Sequence, residues 1–300
     1  MKRLLVTLAA IGIAVPLFAQ QPPAATQTPA APPPKNDAIA PPLEYAADVL
    51  KASPRHGEWV DIKMAGGPAI NSWVVYPERK EKVGVVLVIH DIYGMPTGAG
   101  DWPRAVGDQL AKAGFIAIVP DLLSGKGPNG GGAPEIGAAG IGQAIRTLTM
   151  PDVAARLDAA MAYGKTLPAS NGKTGVIGFC WGGDKSFGYA AAQPALSAAV
   201  VYYGQVPQIA GQAGVVDEAA VTKIKAPVIG FYGGTDSRVN QTIDPTKAAM
   251  TKLNKSYDPH IFAGAGHGFL RNQSGGNGAN YNASVEAWPL TVAFFTKNLK

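Results

Sequence analysis

The chain carries a single cysteine, Cys180, among its 300 residues. One thiol cannot close an intramolecular disulfide, so Cys180 either packs as a small apolar side chain or works as a thiol. Charge is also scarce: 16% of residues are charged and the formal net charge is only +5. Basic arms, long Lys/Arg tracts and aromatic-plus-basic repeats are absent, which leaves nucleic-acid binding without support. Beyond the first 20 residues no apolar run is long enough to cross a bilayer, because the later ones are broken by Gly, Pro or charge. No internal repeat is visible. What remains is a globular balance, with 47% hydrophobic residues, and a length at which roughly 75% of the unfolded chain's surface can be buried.

The N-terminus has its own pattern. Lys2 and Arg3 precede an apolar run from Leu4 to Phe18, and Ala19 is a small residue for cleavage. Residues 1–19 are therefore expected to be a signal peptide, and the protein to be exported, periplasmic or secreted. The run is shorter than the ~20 residues a membrane anchor needs, so no stable membrane insertion is expected after cleavage. Residues 20–45, rich in Pro and Ala, read as a disordered tether, and residues 46–300 as one domain.

Within that domain, strand and helix periods alternate. Residues 59–64 and 70–76 read as strands joined by a turn at Gly66, Gly67 and Pro68. Residues 83–90 form a nearly continuous β-branched run, as in a parallel strand covered on both faces. Further short buried strands are expected at 115–119, 175–179, 198–203 and 228–232. Helical spacing is found over 101–113, 152–167, 183–192, 246–253 and 285–298. The Gly-rich stretch 125–142 reads as a loop. This alternation predicts an α/β fold, a mostly parallel twisted sheet with helices on both faces, with ligands bound beyond the carboxyl ends of the strands.

The sharpest motif is Gly178-Phe179-Cys180-Trp181-Gly182-Gly183, where a buried strand meets a helix. It matches the G-x-S-x-G nucleophile elbow with Cys in the nucleophile position. The helix that follows favours a thiolate at its N-terminus, and Trp181 N–H is a candidate oxyanion donor. Asp236 follows a later strand and His267 stands between glycines after the next, so the order is nucleophile, acid, histidine, as in α/β-hydrolases. Cys180, Asp236 and His267 are therefore the expected catalytic triad, acting through a thioester. At the end of the 83–90 strand, Ile92 is the candidate for the second oxyanion amide, and Asp91 is either a site carboxylate or a loop cap. His56, His90 and His260 read as structural or exposed.

Together these residues resemble the dienelactone hydrolase (carboxymethylenebutenolidase) family from about Glu58 to the C-terminus. The G-x-C-x-G-G elbow, Thr235-Asp236, Gly266-His267-Gly268-Phe269, Tyr202-Tyr203-Gly204 and Asn171-Gly172-Lys173 carry the likeness. The resemblance implies a monomer that opens an unsaturated lactone without metal or organic cofactor. It places Asp91 where the family has a glutamate that gates the thiol, and Arg271 where an arginine holds the substrate carboxylate. Tyr203 joins the substrate-binding candidates, and Arg146 stands for a second substrate arginine expected upstream. The shorter Asp91 and the unmatched second arginine keep open an exported esterase for other small acyl or cell-wall esters; a binding protein on a hydrolase fold and a redox thiol are two further classes.

Overall fold

The computed structural model describes residues 32–98 and 100–300, so the expected signal peptide lies outside the described residues. The chain runs through α1 (Leu43–Ala52), β1 (Gly57–Ile62), β2 (Ile70–Val75), β3 (Val83–Ile89), α2 (Asp101–Lys112) and β4 (Ile116–Pro120). It continues through α3 (Ala133–Arg146), α4 (Met150–Thr166), β5 (Ser170–Phe179), α5 (Trp181–Ala192) and β6 (Ala198–Tyr202). The last part holds α6 (Glu218–Thr222), β7 (Val228–Gly233), α7 (Ser237–Asn240), α8 (Ile243–Lys252), β8 (Tyr257–Phe262) and α9 (Ala279–Leu299).

The strands form one sheet in the order β1-β2-β4-β3-β5-β6-β7-β8. The six strands from β4 to β8 in that order are parallel, while β1 and β2 pair antiparallel at one edge. β3, β4 and β6 are buried at every position, which is why their sequences are unbroken apolar runs rather than alternating ones. The pleat shows the covering on both faces. Gly107 of α2 approaches Ala117 and Val119, whereas Gly164 of α4 approaches Ile118, the residue between them. Neighbouring strand residues point to opposite faces, so α2 and α4 lie on opposite sides of the sheet. α9 joins the α2 side, where Gly84 meets Leu299. This is the α/β-hydrolase arrangement the sequence predicts.

Two expectations need correction. The tether expected to reach residue 45 gives way to packed structure before that point. Ile39 and Ala40 are buried, and α1 begins at Leu43. Trp102 Nε1 donates to Pro41 O at 2.9 Å, Gln273 Nε2 to Ala40 O at 2.9 Å, and Leu43 N to Arg271 O at 3.0 Å. The segment has little periodicity of its own because distant partners order it. The second correction is in the Gly-rich stretch, where α3 begins at Ala133. The Asp121 carboxylate accepts from Ala133 N–H at 2.7 Å, and Ile141 and Ile145 face the core. Gly137 interrupts the helix with φ 71° and ψ 158°, so the glycines kink this helix without preventing it.

Candidate active site

All six parallel strands end on the same edge of the sheet. The segments after β3, β5, β6, β7 and β8 there carry His90-Asp91, Cys180, Tyr203, Asp236 and His267. Topology alone thus gathers residues that lie up to 177 positions apart in the chain, from 90 to 267.

Cys180 caps the N-terminus of α5 with φ 56° and ψ −117°. An L residue in this region is strained by about 1–3 kcal/mol, and it persists only where the surroundings enforce it. The enforcement is visible on both sides. A Cβ on Gly178 would stand 1.9 Å from Gly182 O, and one on Gly182 would stand 2.3 Å from His90 O. The turn can therefore close only with hydrogen at both positions. Cys180 N–H donates to Tyr202 O at 3.1 Å, and Cys180 O accepts from Asp184 N–H at 3.1 Å, which fixes the backbone and leaves the thiol projecting from the turn. Glycine adopts this backbone without penalty. Cys180→Gly is accordingly expected to be more stable than Cys180→Ala by about 1 kcal/mol, a Tm difference of roughly 2–4 °C that reverses the usual order of these residues. Thermal unfolding of the two variants checks this; a less stable Gly variant would show that the turn stores no strain.

Burial pushes the Cys180 thiol up, and the charges of Asp91 and Asp184 push the same way. Trp181 N–H, which hydrogen-bonds to Cys180, and Arg238 pull it back. The balance of these causes holds the thiol above its ordinary range.

A histidine stands after β8. His267 Nδ1 lies 2.5 Å from Asp236 Oδ2. Asp236 is buried, and its other oxygen accepts from Val239 N–H at 3.3 Å, so one carboxylate both caps α7 and orients the imidazole. Nδ1 turned to Asp236 leaves Nε2 as the nitrogen able to serve a thiol. The histidine loop is tied to the acid turn through Ala265 O, which accepts from Thr235 N–H at 3.0 Å and Thr235 Oγ1 at 2.9 Å. It is tied to α9 through Gly266 N–H, which donates to Asn280 Oδ1 at 2.9 Å. Asn280 is a supporting residue that no local motif in the sequence announces.

Asp91 and Arg271 meet as a buried ion pair, Arg271 Nε to Asp91 Oδ2 at 3.0 Å. Asp91 also accepts from Tyr93 N–H at 2.9 Å, so it is at once a site carboxylate and a loop cap. Burial raises its carboxyl, while Arg271 and Tyr93 N–H hold it down. The Arg271 guanidinium lies 4.4 Å from the Tyr93 ring centroid. Its charge is thus satisfied inside the protein in this state.

Tyr203 has φ 43°, is buried, and sets its ring edge-on to His267 with centroids 5.1 Å apart. Its hydroxyl has no hydrogen-bond partner among the described residues. Burial, with Asp91 and Cys180 nearby, raises the phenol well above 10.0, so it stays an O–H donor in the site. Ile92 follows Asp91, and among the described residues its N–H donates to no protein acceptor. Arg146 is exposed in the last turn of α3 and forms no ion pair among the described residues. Also among the described residues, no group of three His, Cys, Asp or Glu is placed to hold a metal, and no helix is long and apolar enough to cross a membrane.

Comparison with known proteins places the chain in a family. The family model of the dienelactone hydrolase family matches residues 70–299. A Methylorubrum extorquens protein named "Putative carboxymethylenebutenolidase" is 33% identical over 240 residues, covering 77% of this chain and 75% of that protein. Among solved structures, a dienelactone hydrolase-like promiscuous phosphotriesterase from metagenomic libraries has a TM-score of 0.65 at 22% identity, covering 82% of this chain and 99% of that one. The dienelactone hydrolase of Anabaena variabilis has a TM-score of 0.60 at 23% identity, with coverage of 82% and 99%. Those two share the fold, and the family model and the sequence relative carry the assignment: this chain belongs to the dienelactone hydrolase family, hydrolases of esters or lactones.

Proposed function

We propose that the protein hydrolyses a small ester or lactone through Cys180, with His267 and Asp236 completing the triad and a thioester as the intermediate. The observation that carries this reading is the strained Cys180 at the head of α5, on the same sheet edge as a His267–Asp236 pair at 2.5 Å. His267 takes the Cys180 proton as the sulfur attacks the carbonyl carbon, and the carbonyl oxygen gathers charge beneath Trp181 N–H and Ile92 N–H. Collapse of the tetrahedral species breaks the bond to the alkoxide, which receives the proton from His267. Water, deprotonated by His267, then attacks the thioester and returns the thiol. In lactone opening the alkoxide stays part of the same molecule, and the product is a single hydroxy or oxo acid.

The test of substrate class compares two compounds with wild-type protein: a dienelactone, followed by loss of its ultraviolet absorbance, and p-nitrophenyl acetate. Opening of the dienelactone with the higher kcat/KM supports a lactonase of the family's type. A preference for the acetate favours the second reading, an esterase for small acyl esters, which the shorter Asp91 motivates. Inertness of the folded protein toward both would overturn the hydrolase proposal.

A further inference from the structure

The imidazole of His90 has no role in the reaction above, yet it is fully buried at the end of β3. Its Nδ1 lies 2.9 Å from the carbonyl oxygen of Asp91. A carbonyl oxygen can only accept, so Nδ1 carries the proton and donates. The other ring nitrogen, Nε2, has no partner among the described residues, so the bond to Asp91 O is the ring's one polar attachment there.

That oxygen belongs to the Asp91–Ile92 peptide, which is planar and trans. In a trans peptide the C=O and the following N–H point in opposite directions, so fixing one fixes the other. Asp91 O is held from two sides, by His90 Nδ1 and by Gly94 N–H at 3.1 Å. The free Ile92 N–H on the far side of the plane is thereby aimed. The same imidazole also stacks on the Trp181 indole, with centroids 5.6 Å apart and planes 14° from parallel. Trp181 supplies the other proposed oxyanion amide. One buried side chain therefore touches both halves of the oxyanion site, and the close backbone approach of Gly182 to His90 O also joins them.

We infer that His90 is a positioning residue for the oxyanion site, its Nδ1–H holding the Asp91–Ile92 peptide so that Ile92 N–H faces the developing negative charge beside Trp181 N–H. The inference rests on the hydrolase reading of Cys180. Removing an oxyanion donor outright costs about 10²–10³ in kcat. Loosening one that Gly94 still partly restrains should cost less, about tenfold.

Asn and Leu have the same shape at this position and both lose the ring stack, but only Asn can place an N–H near the Nδ1 position. His90→Asn is expected to keep kcat for p-nitrophenyl acetate within about threefold of wild type, while His90→Leu loses about tenfold with KM unchanged. Alkylation of Cys180 by iodoacetamide forms no oxyanion, so its rate should be the same in both variants. If His90→Leu fails to fold, His90→Phe, which keeps a ring against Trp181 without the donor, carries the same comparison. Equal kcat in the Asn and Leu (or Phe) variants would overturn the inference, as would alkylation falling in step with turnover. A wild type that hydrolyses no ester would overturn the hydrolase reading and this inference with it; an active wild type matched by its donor-free variant would overturn this inference alone.

Discussion

Cys180→Ala is expected to abolish ester turnover, with kcat down by at least about 10⁴, while the protein remains folded. The size of the effect follows from the chemistry: no other thiol exists in the chain, and Ala leaves the carbonyl with no nucleophile. His267→Gln should cost nearly as much, because burial and the charges of Asp91 and Asp184 keep the thiol above its ordinary range. With the base gone, the thiolate must form unaided, so residual activity and iodoacetamide alkylation should both climb steeply on the alkaline side of neutrality. The sign is fixed by the cause: burial and nearby negative charge disfavour the anion, so higher pH is needed to populate it. The double variant should be no slower than Cys180→Ala alone, since residues that act as a unit are not additive. A Cys180→Ala protein retaining more than a few per cent of wild-type turnover would remove Cys180 from the mechanism.

The second large effect is on stability. Arg271→Met is expected to destabilise the fold by about 3–5 kcal/mol, because it leaves the buried Asp91 carboxylate without its counter-charge. For a chain of this size that is a Tm loss on the order of 10 °C. Arg271 also stacks on Tyr93, and its carbonyl oxygen anchors Leu43 N–H at the start of α1. The backbone bond survives the substitution, so the loss isolates the charge and the stack. Combining Asp91→Asn with Arg271→Met should recover most of the stability, since replacing both charges removes the desolvated ion altogether. Thermal unfolding of the two single variants and the double variant measures the coupling. Single variants whose losses simply add would show that the pair is not coupled.

The parts of this molecule that could be read from sequence are those whose cause is local. The unbroken apolar runs of β3 and β6 are a direct record of burial on both faces, and Gly178, Gly182 and Gly183 around Cys180 record a turn too tight for side chains. Asp236 and His267 could be placed because each follows a strand in the required order. What sequence could not show depends on partners far along the chain. Residues 37–43 look like more of the Pro-rich tether, but they are held by Trp102, Gln109, Arg271 and Gln273. The glycines of 125–142 suggest a loop, but Asp121 accepts from Ala133 N–H and Glu135 closes back on Gly132 N–H, and together they start a helix there. Arg271 was legible as a cation near the histidine, but its pairing with Asp91 across 180 positions was not. His90 carries no local signal in the sequence, because the Trp181 ring stacked against it lies 91 positions away.

The central claim is that acyl transfer passes through the sulfur of Cys180. Its most direct test is mass spectrometry of protein acid-quenched during turnover of p-nitrophenyl acetate, using wild type and His267→Gln. The account predicts one acetyl group on the peptide containing Cys180, lost on treatment with hydroxylamine as a thioester should be. It also predicts no such adduct in Cys180→Ala. Turnover with no acyl group on Cys180 at any quench time, or with the acyl group on another residue, would contradict it.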